Sequence, residues 1–120
     1  MNERDIEIDR WNKRLRNLGD KQFANERELR RHERLQDEVD YVHRQGDRLF
    51  RELGGAWYQD PEMARFLDEQ RDGFRRRQFQ VMDGLAEERA RMEREKRMLV
   101  ENESEYYAAR RKLALGGEQG

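Results

Sequence analysis

His32 and His43 are the side chains best suited to metal binding or proton transfer near neutral pH, and they stand eleven residues apart. On a helix that separation is about three turns, so both rings share a face but lie about 16 Å apart by helix rise. They cannot share a metal ion. Asp40-x-x-His43 has the spacing of half a carboxylate-bridged di-metal site, but a helical bundle needs a second such pair and further inward glutamates. The chain has no second pair, so the histidines read as structural or surface residues. Arg75-Arg76-Arg77 is the longest basic run. With Asp68, Glu69, Asp72 and Asp83 around it, it reads as a solvated helix face with i to i+4 ion pairs, not a nucleic-acid contact. No Gly-rich phosphate loop, nucleophile elbow or zinc spacing occurs. Carboxylates are abundant, but general acid catalysis needs a dry cleft that shifts their pKa values, which a thin helical protein rarely offers. The expectation is a non-enzymatic protein without cofactor or metal.

The elements that carry these residues follow from composition. In 120 residues, 44% are charged and 34% hydrophobic, too little apolar material for a thick core. The net charge is only −1 and Arg, Glu, Leu, Met and Ala dominate, which favours long helices over disorder. Residues 1–60 hold 13 basic and 14 acidic side chains, and residues 61–120 hold 13 of each. Neither half carries a one-signed field, which argues against a nucleic-acid partner. Without cysteine there are no disulfides or thiolate metal sites. No apolar run approaches the roughly 18 residues that span a bilayer, and residues 1–20 lack the apolar centre of a secretory signal. The expected location is the cytoplasm, with any export following a route that needs no cleaved signal.

Chain breakers cluster in the middle, at Leu53-Gly54-Gly55-Ala56-Trp57-Tyr58-Gln59-Asp60-Pro61. Asp60 suits the cap of a following helix, Pro61 its first position and Glu62 the positive end of its dipole. The expected fold is all-α: a helix over about 3–52, a turn at 53–60 built on Gly54-Gly55, and a helix over about 61–115. Gly116-Gly117 offers a left-handed cap, and 116–120 reads as a flexible tail. Arms of nearly equal length around a short turn make an antiparallel, coiled-coil-like hairpin.

Heptad spacing is clearest in the second arm, through Phe74, Gln78, Val81, Leu85, Glu88, Met92, Glu95, Leu99, Asn102, Tyr106, Ala109 and Leu113. The first arm follows Ile8, Trp11, Leu15, Leu18, Gln22, Asn25, Leu29 and His32. It then shifts register to Leu35, Val39, Val42, Gly46, Leu49 and Leu53, a discontinuity of the stammer kind. Asp20 to Glu28 is the expected weak segment, with Gly19 adding about 1 kcal/mol of helix cost relative to Ala. Phe50, Phe66, Phe79, Met82, Met98, Val100 and Tyr107 fall off both seams, a surplus that calls for self-association or a helical partner completing a bundle. Around the turn, Leu49, Phe50, Leu53, Trp57, Tyr58, Met63, Phe66 and Leu67 form either a plug that closes the hairpin or a docking knob. Both roles hold together if Trp57 faces inward and Tyr58 outward. The candidate partner-binding residues are therefore Phe50, Leu53, Trp57, Tyr58, Phe66, Phe79, Met82, Met98 and Tyr107.

Two helices around a short turn bearing Trp57, with Arg48-Leu49-Phe50-Arg51-Glu52-Leu53 leading into Ala56-Trp57-Tyr58, resemble the WXG-type small proteins of the type VII (Esx) secretion system. With the charged second arm ending Glu105-Tyr106-Tyr107-Ala108-Ala109-Arg110-Arg111-Lys112-Leu113, the chain is more similar still to the small helical proteins that accompany LXG-domain toxins. The resemblance runs from about Asp5 to Leu113. It implies a targeting factor or chaperone that binds the toxin's helical LXG domain, alone or with a second small WXG-like protein, and that is exported with its cargo or left behind. Trp57 is followed by Tyr58 and Gln59, so the Trp-x-Gly turn is absent. The Tyr-x-x-x-Asp/Glu export signal would need an acid at 110 or 111, where both residues are arginine, so a sister subunit would have to carry it. Phe79-x-x-x-Asp83 mimics an aromatic variant of that signal but lies inside the second arm. The residues also admit a stalk like the coiled-coil hairpins of type III export ATPases, or a homodimeric structural coiled coil.

Overall fold

A computed structural model describes residues 2–116. Two long helices, α1 (Glu3–Trp57) and α2 (Pro61–Gly116), pack against each other as a hairpin, and the described residues contain no strand. Asn2 caps α1, its side-chain oxygen accepting the Asp5 N–H at 2.8 Å. Asp60 caps α2 as expected, with Oδ1 accepting the N–H groups of Glu62 and Met63, both at 3.1 Å. These two bonds satisfy donors that the first turn leaves free, and Pro61 has no N–H to satisfy.

The turn is shorter than the glycines suggest. α1 runs on to Trp57, so Gly54 and Gly55 are helical, and no described glycine has a positive φ. Tyr58, Gln59 and Asp60 alone reverse the chain, closed by the Asp60 N–H on the Trp57 carbonyl at 3.0 Å. A helix interior tolerates Gly at about 1 kcal/mol each, and nothing at these positions demands a left-handed conformation. Gly116, the first residue of the expected tail 116–120, is helical instead, while 117–120 lie outside the described residues.

The expected register shift in α1 does not occur. A seam of buried and half-buried residues runs through Ile8, Trp11, Leu15, Leu18, Gln22, Asn25, Leu29, His32, Gln36, Val39, His43, Gly46, Phe50 and Leu53, alternately three and four apart without a slip, with Asn12, Glu28, Asp40, Asp47 and Gly54 half-buried beside it. Leu35, Val42 and Leu49 are exposed instead. Cross-helix contacts give the same register. Among residues 2–29 and 90–116, Trp11 packs tilted against Tyr106 and Asn25 bonds Met92, fourteen residues further on α1 and fourteen back on α2. Within Arg30–Arg89, His32 meets Leu85 and His43 meets Phe74, eleven on and eleven back. An uninterrupted repeat of seven keeps one seam facing the partner helix. Holding it costs polar residues in the seam, since Gln36 and His43 replace Leu35 and Val42.

In α2 the seam matches expectation at Phe74, Gln78, Leu85, Met92, Glu95, Leu99, Asn102, Tyr106, Ala109 and Leu113. Val81 and Glu88 depart from it: both are exposed, and Met82 and Arg89 are the half-buried residues there. The seam tips toward the flank where Arg89 reaches Glu33 at 3.4 Å, so Glu88 keeps its hydration and the Arg89 stem covers apolar surface. The core is thin. Its buried apolar side chains, among the described residues, are Leu18, Leu29, Leu85, Met92 and Leu99. The two compact units meet in sequence at Leu29/Arg30 and Arg89/Ala90.

Candidate protein-binding faces

Buried polar groups fix the register of each unit. Among residues 2–29 and 90–116, Asn25 is buried and its Nδ2 donates to the Met92 carbonyl at 3.1 Å. Beside it Arg91 reaches Glu28 at 3.5 Å and Glu95 at 3.7 Å. Within Arg30–Arg89, His32 is 3% exposed and its Nε2 lies 2.8 Å from the Leu85 carbonyl oxygen. A carbonyl only accepts, so that nitrogen carries the hydrogen, and Nδ1 is left buried without a partner. These bonds are lost if the helices slide by a turn, the best-attested use of polar residues in a helical seam. The ion pairs are solvent-exposed and each contributes about 0–1 kcal/mol, so they select the register more than they stabilise it.

The histidines thus take structural places. His43 is half-buried, its ring edge-to-face with Phe74 at 5.9 Å, and Phe50 packs on the same ring at 5.6 Å. Gly46 makes room for Phe74: a Cβ there would run into the ring. Phe50 therefore belongs to the seam and not to the surplus, and Leu53 and Met82 are also half-buried against the hairpin. The ion pairs expected around Arg75-Arg76-Arg77 do not form; none of the three pairs with a carboxylate among the described residues. Neutralisation at that run is left to solvent, because each i to i+4 pair gains only a few tenths of a kcal/mol.

Six candidate binding residues remain on the surface: Trp57, Tyr58, Phe66, Phe79, Met98 and Tyr107. At the turn both Trp57 and Tyr58 are exposed, so the inward tryptophan is not observed, and Leu53, Met63 and Leu67 are the half-buried residues there. Phe79 is 71% exposed on the flank that also holds Met82 and Arg89. In the other unit, Val100 and Tyr107 stand one heptad apart, and Arg110 lies over the Tyr107 ring at 4.8 Å while bonding Asn12 at 2.8 Å. Arg14 covers Trp11 at 4.6 Å beside an open cleft of about 860 Å³, whose walls include Glu7, Arg10, Lys112 and Leu113.

Leu35, Val42 and Leu49 were hidden from sequence reasoning, which had placed them in the seam. They stand seven residues apart in one column of α1 and are exposed by 43%, 59% and 53%. Single exposed apolar residues are ordinary, but a heptad-spaced column beside a seam is the pattern that another helix covers. Among the described residues, no cluster of three His, Asp or Glu side chains could hold a metal ion, and no helix is long and apolar enough to cross a membrane. The geometry offers apolar faces on long helices, which suits protein recognition.

No curated protein and no solved structure matches the chain. A family model described as "Protein of unknown function (DUF3958)" matches residues 7–113, which reach from the first seam residues of α1 to the last of α2. The match takes in both helices and the turn between them, and the chain belongs to the DUF3958 family.

Proposed function

We propose that this protein is a non-enzymatic adaptor, a targeting factor or chaperone that binds the helical N-terminal domain of an LXG toxin for type VII secretion. The observation that carries this reading is the mismatch between a thin seam and a rich surface. The seam spends its middle on Gln22, Asn25, His32, Gln36 and Gln78, while Leu35, Val42, Leu49, Phe66, Phe79 and Met98 face solvent. Leu35, Val42 and Leu49 are already about half covered, so covering the rest would yield about 2–5 kcal/mol of gross burial, at about 1.5–3 kcal/mol for each side chain taken from full exposure. Association offsets part of this through lost rotational and translational freedom. A long client helix collects enough such contacts to leave a surplus, and in doing so hides its own apolar stripe from aggregation. The resemblance to LXG-associated proteins supplies the class of client. With arginine at 110 and 111, the export signal would come from the client or from a second small helical subunit.

The test is capture of tagged protein from its native lysate, with mass spectrometry of whatever co-elutes. Recovery of a toxin bearing an LXG domain is the expected result. Recovery of a ring ATPase, or of nothing beyond a second copy of the chain, overturns the proposal.

A further inference from the structure

We infer that the partner docks on the Leu35-Val42-Leu49 face of Arg30–Arg89, and that it presents there an amphipathic helix with carboxylates flanking its apolar column. The inference rests on the adaptor reading and adds to it a place and a charge.

The two flanks of this unit differ in chemistry. On one, the α1 column is Glu33, Asp40 and Asp47, marked as a flank by the Glu33 contact with Arg89. Arg89 and Arg75 stand in the facing α2 column, so charges of both signs line that flank. On the other flank the α1 column is Leu35, Val42 and Leu49. The α2 column across from it follows from the register. In the other unit Glu28 reaches Arg91 while Asn25 meets Met92, so a residue three further on α1 faces the residue one before the partner on α2. The same offset from His32 and Leu85 sets Leu35 across from Gly84, and one heptad on it sets Val42 across from Arg77.

Gly84 has open space where a Cβ would stand, so an incoming side chain meets no wall beside Leu35. Next to Val42, among the described residues, two positive side chains stand outside any ion pair. The guanidinium tips of Arg76 and Arg77 lie 3.8 Å and 3.9 Å from the place where a Gly73 Cβ would be. Two cations thus lean over one small residue, and neither has a carboxylate partner among the described residues. The outer borders are mixed on both helices, with Arg31 and Glu38 on α1 and Glu69, Asp83 and Glu87 on α2, so the sign of the preference is set locally, where Arg76 and Arg77 stand beside Val42. Guanidiniums held close together without a counter-charge favour carboxylates, which they can grip through paired N–H donors. An apolar column beside them selects a helix that brings both at once.

The probes are two synthetic amphipathic helices with the same Leu/Ile column, one flanked by Glu and one by Lys, titrated into the full chain. The Glu-flanked helix should bind at least about tenfold more tightly, with the difference shrinking as salt is raised. Val42→Asp should abolish binding of both, and Arg76→Glu with Arg77→Glu should reverse the preference. Ala86→Asp, exposed on the opposite flank between Met82 and Arg89, should leave affinity unchanged. All four positions are exposed, so circular dichroism should report an intact hairpin for every variant. Equal affinity for the two helices, binding of neither, or loss of binding in Ala86→Asp but not in Val42→Asp overturns the inference. So does a concentration-dependent dimer of the wild type that Val42→Asp dissolves, because the occupant is then a second copy. Failure of this inference is separable from failure of the adaptor reading. An LXG toxin captured equally well by wild type and Val42→Asp sinks the face and spares the adaptor. A wild type that prefers the Glu-flanked helix yet captures no LXG toxin does the reverse.

Discussion

Two chemically identical substitutions, Gly19→Ala and Gly46→Ala, should move stability in opposite directions. Both glycines lie inside α1, where replacing Gly by Ala gains about 1 kcal/mol of helix propensity. At Gly19 a new Cβ meets nothing within 4 Å, so the whole gain of about 1 kcal/mol should appear. At Gly46 the new carbon runs into the Phe74 ring, with Cε2 and Cε1 at 2.8 Å and 2.9 Å. That ring cannot swing aside cheaply, because His43 packs against it at 5.9 Å and Phe50 at 5.6 Å. Overpacking of this kind costs about 1–3 kcal/mol, and disturbed ring contacts cost about 0.5–1.5 kcal/mol more. Set against the propensity gain, Gly46→Ala should destabilise by about 1–3 kcal/mol, opening a gap of about 2–4 kcal/mol between the two variants. Urea unfolding followed at 222 nm would measure it, with unchanged m-values showing that the comparison concerns the folded state. If both variants gain equally, Phe74 does not sit over Gly46 and the register is wrong.

Three further substitutions probe the same account by urea or thermal unfolding. Phe50→Ala should cost about 2–3 kcal/mol through lost packing, whereas Leu49→Ala, exposed next door, should stay within about 0.5 kcal/mol; the reverse order would restore the shifted register. Asp60→Ala removes the acceptor for two N–H groups at the start of α2 and should cost about 1 kcal/mol, while an unchanged midpoint would mean the cap is dispensable. His32→Leu forfeits a hydrogen bond worth about 1 kcal/mol but removes a buried, unpaired Nδ1 whose desolvation costs about 1–3 kcal/mol. A net gain of about 1 kcal/mol is expected, and a clear loss would show that the His32 contact with the Leu85 carbonyl outweighs the stranded nitrogen.

Much of the fold was legible because helix formers and heptads repeat over many turns. Asp60-Pro61 marked the start of α2 to the residue, since cap and proline each have one place there. The errors share a physical cause. Periodicity identifies a column of apolar residues but not which way it faces. Leu35, Val42 and Leu49 form as good a heptad as the seam, one column away, and only the cross-helix pairs show that Gln36 and His43 hold the inside. Gly54-Gly55 looked like a turn because glycine permits one, yet permission is not demand, and the helix runs through both. His32 was read as a structural or surface residue in the seam, and it is structural; only its carbonyl partner had to wait for α2 to be placed. Of the nine candidate binding residues, Phe50, Leu53 and Met82 went partly to the hairpin itself, because aromatic and aliphatic side chains at the edge of a thin seam are drawn into it.

The adaptor reading makes the hairpin marginal alone and stable with its client, since a ligand that binds only the folded chain raises its stability by mass action. The most direct measurement is the melting temperature of the purified protein, alone and with increasing concentrations of a purified LXG domain. The account predicts a midpoint that climbs with the concentration of the domain, and climbs less for Val42→Asp. A midpoint that stays fixed while the domain is added in large excess would contradict it.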